Sequence, residues 1–351
     1  VELVPIVPDV HNWYVTNAGS IRGFSTRLIH LFINPQKKVI MGLIKKPSEL
    51  TVKSTISALI YGQPGIGKTT LALSAPNAVL FDYDGGVHRV NAAHRGATVE
   101  INSWDDTSAV LASEEIKEFD TIVIDTAGKM LDFMSADIIA RSKNKTPGRK
   151  LALNEYGERK AMFISFLKAV SIMGKNVVFV AHEREEKNGE EKQIRPEIGG
   201  SSAGDLIKEL DLVGYMEAIG KEKTISFDPC EKFYGKNTCN LPSIIKVPVI
   251  IDANGNITGR NTFMSDIIAK YKEYQARQTE LSGDYDALMD VIKENVEMVT
   301  DEVSANDAAE RIAAFEHIFD SKVRAGILLN EKCRKLGLRF NKLAKKYERA
   351  A

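Results

Sequence analysis

The sequence predicts an α/β protein with a mainly parallel sheet, followed by a helical C-terminal extension. Three observations predict it. Short continuous apolar runs alternate with helix-like segments between about residues 57 and 181. A glycine-rich G-x-x-x-x-G-K-T motif, Gly62 to Thr69, sits between one such run and a plausible first helical turn. After about Thr262 the pattern becomes helical to the end. Unbroken apolar strands separated by helices belong to a parallel sheet covered on both faces.

The elements follow in order. Ile56 to Tyr61 reads as a buried strand, and Thr70-Leu71-Ala72-Leu73 as the helix start behind the motif. Ala78 to Asp82, Ala97 to Ile101 and Thr121 to Asp125 are further strands, with a helix expected over 106–117. A helix around Glu158 to Met173 precedes the strand Asn176 to Ala181. Asp211 to Ala218 and Thr224 to Phe227 predict a hairpin about Gly220, Val247 to Ile251 another strand, and Asp252 to Gly255 a turn. Ligands of such sheets bind at the carboxyl ends of the strands.

Composition excludes several classes. The formal net charge is zero, so nucleic-acid binding must come from local patches. The cysteines Cys230, Cys239 and Cys333 are too few for a disulfide framework, and the first two are too widely spaced for a zinc half-site. Small buried thiols are expected. No apolar stretch is long enough to span a bilayer and no secretory pattern is present, so a cytoplasmic protein without a membrane partner is expected. Residues 1–40 lack sustained periodicity. The first methionine is Met41, and Lys37-Lys38 implies purine-rich codons where a ribosome-binding sequence would lie. A disordered or non-native extension over 1–40 is expected, against the alternative of a genuine N-terminal arm. Intact mass of protein made from its native gene decides between them; a product retaining Val1 to Ile40 overturns the first.

The chemistry centres on Gly62-Gln63-Pro64-Gly65-Ile66-Gly67-Lys68-Thr69, continued by Thr70. Strand, loop and helix are the context a phosphate-binding loop requires. Its glycines let successive N–H groups turn inward onto phosphate oxygens, and the helix start adds partial positive charge. Lys68 supplies a cation for the β- and γ-phosphates, and the Thr69 hydroxyl is placed to hold Mg²⁺. Asp125, at the end of a buried strand, is the candidate to complete the Mg²⁺ shell; the bland alternative is a helix-capping aspartate.

Asp125-Thr126-Ala127-Gly128 also spells D-x-x-G, a GTPase switch motif. A GTPase further needs N-K-x-D after a later strand. The strand ending at Ala181 runs instead into His182-Glu183-Arg184-Glu185, and Asn144-Lys145-Thr146-Pro147 lacks the aspartate. Thr126, where AAA+ proteins pair Asp with Glu, disfavours that arrangement. A catalytic acid is available in Asp82-Tyr83-Asp84-Gly85-Gly86, where Asp84 can orient or deprotonate a water; a solvated turn is the alternative. His182 can sense the γ-phosphate, or be structural. Two polar loops are expected, over 141–150 and 183–200. Their cations can neutralise a DNA backbone, although the glutamates of the second weaken that reading.

In this order the pieces resemble the RecA-like recombinase core, and more narrowly phage ATP-binding proteins of the RecA-like single-strand annealing group. The resemblance runs from about Met41 to Thr262 and includes Arg195-Pro196-Glu197-Ile198-Gly199-Gly200 and Gly235-Lys236-Asn237. It implies ATP hydrolysis between adjacent subunits of a homo-oligomer, with single-stranded DNA held by loops 141–150 and 183–200. It implies that Lys236 can be presented to a neighbour's ATP. Such proteins usually carry glutamate where Asp84 stands. The expectation is a core over 41–263 and a helical extension over 264–351, acting with ATP and Mg²⁺ on single-stranded DNA in phage recombination or replication, beside other proteins of those processes. A nucleotide-gated annealing protein with little turnover and a helicase-loader-like partner are the alternatives. In the tail, Ile327, Leu328, Leu336, Leu338, Phe340 and Leu343 predict packed helices, with a basic end that can gather DNA or bind a partner.

Overall fold

The apolar runs form the centre of one sheet. The computed structural model describes residues 45, 49–50, 53–146, 148–188, 191–199, 203–220, 222–252 and 254–349. The expected extension over 1–40 and the start at Met41 lie outside them, as do Pro147 and Gly200 of the predicted loops.

The core elements are β1 (Ser57–Gly62), α1 (Lys68–Ala72), β2 (Ala78–Asp82), β3 (Ala97–Glu100), α2 (Trp104–Ala112), β4 (Thr121–Asp125), α3 (Ala127–Arg141), α4 (Leu153–Ile172), β5 (Asn176–Asn188), β6 (Glu191–Pro196), α5 (Ala203–Lys208), β7 (Leu212–Ile219), β8 (Glu222–Ser226) and β9 (Ile245–Val247). Among the described residues nine strands join in the order β3-β2-β4-β5-β1-β7-β8-β9, with β6 hung from β5. β1 to β5 and β7 pair in parallel; β6, β8 and β9 are antiparallel. This is the expected α/β core with a mainly parallel sheet.

Both faces of the sheet are covered, which is why β1 and β4 are buried at every position. Alternate residues serve opposite faces. Leu59, Tyr61, Ile122, Ile124 and Phe179 pack under α3 and α4, where Phe163 and Phe166 lie 5.5 and 6.3 Å from the Phe179 ring. Each such side chain contributes roughly 1.5–3 kcal/mol by burial. Ile60, Val123, Val178 and Leu80 face α1 and the next helix.

That helix, α6 (Phe263–Glu297), is 35 residues long. Phe263, Met264, Ile267 and Tyr271 sink into the sheet core. Its far end buries Met289, Ile292 and Val296 in a separate cluster with α7 (Glu302–Ala313), α8 (Ser321–Lys335) and the hairpin β10 (Leu338–Asn341)–β11 (Lys346–Arg349). The helical extension is therefore present, but it ends in strands. Gly337, at φ +74°, stops α8, and Asn306 of α7 donates to and accepts from the Tyr347 backbone at 2.9 and 2.7 Å. Of the apolar tail positions only Leu338 is fully buried; Ile327, Leu336, Phe340 and Leu343 are exposed. The true stripe of α8 is Ala325, Leu329 and Cys333, at four-residue spacing.

Other expectations shift. The helix over 106–117 begins earlier, at Trp104, because Ser103 and Asp106 form a capping box, and it breaks at Ser113. β9 precedes the predicted strand: its pairing with β8 ends at Val247, and among the described residues Ile251 has a single bridge, to Ile257. Cys239 and Cys333 are buried, but Cys230 is exposed. The charged stretch over 183–200 is largely a hairpin, because its charges pair along and across the strands: Glu185 with Lys192 at 3.3 Å and Glu186 with Arg195 at 2.6 Å. Among the described residues no helix is long and apolar enough to cross a membrane.

Between α3 and α4, Arg149 grips Glu155 through two nitrogens, at 2.6 and 2.7 Å, and Ala152 N–H donates to the same carboxylate. These bonds, the arginine's first, hold Glu155 down to about 2, against an ordinary 4.5. The folded state gains from this above pH 4.5 and loses it as pH falls toward 2. Urea midpoints should show wild type more stable than Glu155→Gln at neutral pH, with the gap shrinking only below about pH 4.5. A gap that does not change with acidity would refute the pairing.

Candidate nucleotide site

The strand ends bring the predicted residues to one mouth of the sheet. Register sets Gly62 beside His182 on one side and Met216 on the other. It likewise sets Asp82 beside Asp125. A Cβ on Gly62 would stand 2.2 Å from the Met216 carbonyl oxygen, so only glycine lets β1 leave the sheet there. Gly67, at φ +102°, turns the chain into α1. α1 has five residues, so its dipole is small and the loop's own amides supply most of the positive potential.

Lys68 is buried, and its Nζ donates to the carbonyls of Gly62 at 2.9 Å and Gln63 at 2.7 Å. Burial lowers its ammonium to about 8, opposed by the Asp125 and Glu183 carboxylates. Thr69 Oγ1 donates to Asp125 Oδ2 at 2.6 Å, which places the two predicted metal-binding groups together. Burial raises Asp125 above its ordinary value; Thr69 resists this, and Asp82 and Asp84 add to it. Among the described residues no three His, Cys, Asp or Glu side chains group as a metal site. One hydroxyl and one carboxylate are hard oxygen donors that fit Mg²⁺ completed by phosphate and water oxygens.

A cavity of about 180 Å³ holds the loop residues Lys68, Thr69 and Thr70 with Asp84, Asp125 and His182. Asp84 is positioned through the backbone: its N–H and that of Tyr83 donate to the Asp125 carbonyl at 3.2 and 2.7 Å. The neighbouring Asp82 carboxylate accepts from Asp84, Gly86 and Val87 N–H groups, and so builds the turn that presents Asp84. His182 reaches the cavity with a buried Nδ1 that has no partner among the described residues, and Glu183 Oε2 is in the same condition. A buried polar atom left unpaired at the wall of a cavity calls for a function.

Three contributors escaped sequence reasoning. Arg89 lines the cavity and pairs with Asp84 at 3.3 Å. Lys223 of β8 donates to the Ile66 carbonyl at 2.7 Å, bracing the loop from across 157 residues of sequence. Glu183 faces Lys68. No local pattern marks Arg89 or Lys223. A second cavity, of about 250 Å³, adjoins the loop between Ile66, Leu71, Met216 and Val247 to Ile251, with Lys223 and Asn261 at its edge. Its apolar walls suit a flat base.

Lys236 is not brought to this mouth. It bridges to Val213, near the start of β7, and its Nζ donates to the carbonyls of Lys208 and Leu210. In the stretch over 141–150, Arg141 pairs with Asp137 and Glu158, and Arg149 with Glu155, while Lys143, Lys145 and Lys150 are exposed. In the hairpin, Arg184, Lys192 and Arg195 are all paired with glutamates.

The AAA domain family model matches residues 54–239, and does so with Thr126, not glutamate, after Asp125. Among solved structures, a KaiC-like protein from the archaeon Pyrococcus horikoshii is 12% identical, covering 49% of this chain and 77% of that one, with a TM-score of 0.31. The flagellar accessory protein FlaH from Methanocaldococcus jannaschii is 9% identical, covering 57% and 88%, with a TM-score of 0.34. No curated protein sequence matches.

The Gly62 contact can be tested. Gly62→Ala should destabilise the fold by about 1–3 kcal/mol, as a buried steric conflict does, and abolish binding of a fluorescent ATP analogue. Wild-type affinity and melting temperature in the variant would show that the close approach to Met216 is not required.

Proposed function

From the premise that this chain belongs to the AAA domain family, whose model spans residues 54–239, we propose that it binds and hydrolyses ATP under the control of single-stranded DNA. The observation that carries the reading is the convergence of Lys68, Thr69, Asp84, Asp125 and His182 on one cavity beside an apolar pocket. The base sits in the pocket and the triphosphate on the loop amides. Thr69 and Asp125 would hold Mg²⁺, which when bound would supply charge neutralisation to the phosphates. Asp84 orients the attacking water and takes its proton, and Lys68 and Arg89 stabilise the oxygens that gain charge as the terminal P–O bond breaks.

DNA contact falls to the exposed Lys143, Lys145 and Lys150. The hairpin is better suited to relaying a signal, because β5 runs without a break from His182 at the cavity into it. A neighbouring copy would meet the site as the RecA-like resemblance implies, with Lys236 freed from its carbonyls. The setting we infer is phage recombination or replication.

Steady-state phosphate release with and without single-stranded oligonucleotide tests this. Asp84→Asn should lower kcat about 10²–10⁴-fold, as loss of a general base does, with ATP affinity changed little. Lys68→Ala should lose both turnover and ATP-dependent tightening on DNA. Absence of turnover in wild type under both conditions, with DNA binding intact, would replace hydrolysis by nucleotide-gated binding.

A further inference from the structure

The distal cluster is a module with its own core and a sharply divided charge. Over 284–320 there are eleven acidic side chains against two basic ones. Over 321–349 there are ten basic against two acidic. The divide follows the fold: the acidic half is the end of α6 with α7, the basic half is α8 with the β10–β11 hairpin. We propose that this module binds duplex DNA, with α8 entering the major groove and the hairpin lying as a wing on the flanking phosphates.

Several observations converge. The end of α6, α7 and α8 pack round one cluster, and the hairpin closes it through Leu338 and Tyr347. Two helices packed on a third and followed by a hairpin have the element order of a helix-turn-helix with a wing, and the second helix of such a pair is the one that reads bases. α8 buries only a narrow stripe, leaving Val323, Ile327 and Arg334 exposed on the opposite face beside Glu331, with Lys322 and Arg324 exposed in its first turn, the latter paired with Asp320 at 2.9 Å. Cations there meet phosphates and guanine edges, and the two aliphatic side chains match thymine methyl groups. The wing is held firmly: Asn306 of α7 pins the Tyr347 backbone, and the Tyr347 hydroxyl donates to Asn330 of α8 at 2.8 Å. Its tip is free: Leu343 is 97% exposed, and among the described residues Lys342, Lys345 and Lys346 pair with no carboxylate.

The chemistry selects the partner. α8 carries no aromatic side chain, and the one exposed aromatic of the basic half, Phe340 on the wing, packs edge-on against Tyr347 at 5.1 Å, whereas single strands are gripped largely by base stacking on aromatics. A-form RNA hides its base edges in a groove too narrow for a helix. The acidic α6–α7 side repels phosphate, so only one face can dock. This site is separate from the nucleotide mouth and does not depend on its chemistry.

The test uses the full chain and fluorescence anisotropy on a labelled mixed-sequence duplex and the matching single strand, across a salt series. Wild type and Lys68→Ala should bind the duplex alike without nucleotide. Lys342→Ala/Lys345→Ala/Lys346→Ala should lose at least about tenfold in duplex affinity, and its salt slope should fall by roughly two to three, near 0.9 per lost phosphate contact. Arg334→Ala/Lys335→Ala should weaken the duplex by a similar factor, as an independent variant on α8. Basal ATPase and melting temperature should stay at wild-type values in both. Absence of duplex binding by wild type would overturn the proposal. So would duplex affinity unchanged in both variants, which would leave the basic face to a protein partner.

Discussion

The hydrogen bond from Thr69 to Asp125 is the constraint round which the rest is arranged. The two residues belong to strand ends that are not neighbours: β5 lies between β1 and β4. Strands sit about 4.8 Å apart, so the two backbones are separated by roughly 10 Å at the mouth of the sheet. The gap closes only because α1 carries Thr69 forward over the end of β5. That leaning places His182 beneath the site and makes β5 the strand that any occupant must touch. The burial of β1, β4 and the first half of β5 fixes the register to which this geometry is tied.

Lys68 and Asp125 are buried at the mouth, and their charges feel it. Burial pushes the Lys68 ammonium down and the Asp125 carboxyl up, so the two groups of opposite sign are both driven toward neutrality. Their attraction for one another offsets this only in part. Phosphate oxygens favour the charged lysine, and a divalent cation favours the charged aspartate. One ligand bearing both would relieve both groups together. The same logic separates Asp82 from Asp84. The first spends its lone pairs on three backbone N–H groups and becomes structure; the second keeps an oxygen facing Arg89 at the cavity.

Much of this was legible from residue order. The glycine spacing, the two strand-end acids and the apolar runs are local signals, and local signals survive into the fold. Lys223 and Arg89 were not legible, since a lysine on an edge hairpin looks like any solvated lysine until the hairpin is laid beside β1. The stretch over 183–200 was misread because dense charge suggests solvent; the pairing of Glu185 with Lys192 and Glu186 with Arg195 needs the strands to be adjacent before it exists. The tail was misread for a related reason. Phe340 and Leu343 are apolar at helical spacing, yet Gly337 takes a left-handed turn and sends them into a hairpin, where they face outward.

The sheet core and the distal module share one helix. α6 has 35 residues and so spans about 50 Å, at 1.5 Å per residue. Its beginning is bonded to the segment behind the phosphate loop: Asn261 Nδ2 donates to the Thr70 carbonyl, Met264 N–H to Ser74 Oγ, and Ser265 Oγ to the Ser74 carbonyl. Thr70 lies in α1, next to the hydroxyl that meets Asp125. The far end is set in the core of the winged module through Met289, Ile292 and Val296. Each end alone is an ordinary packing contact. Because one helix makes both, the core behind the phosphate loop and the core of the distal module are built on the same element.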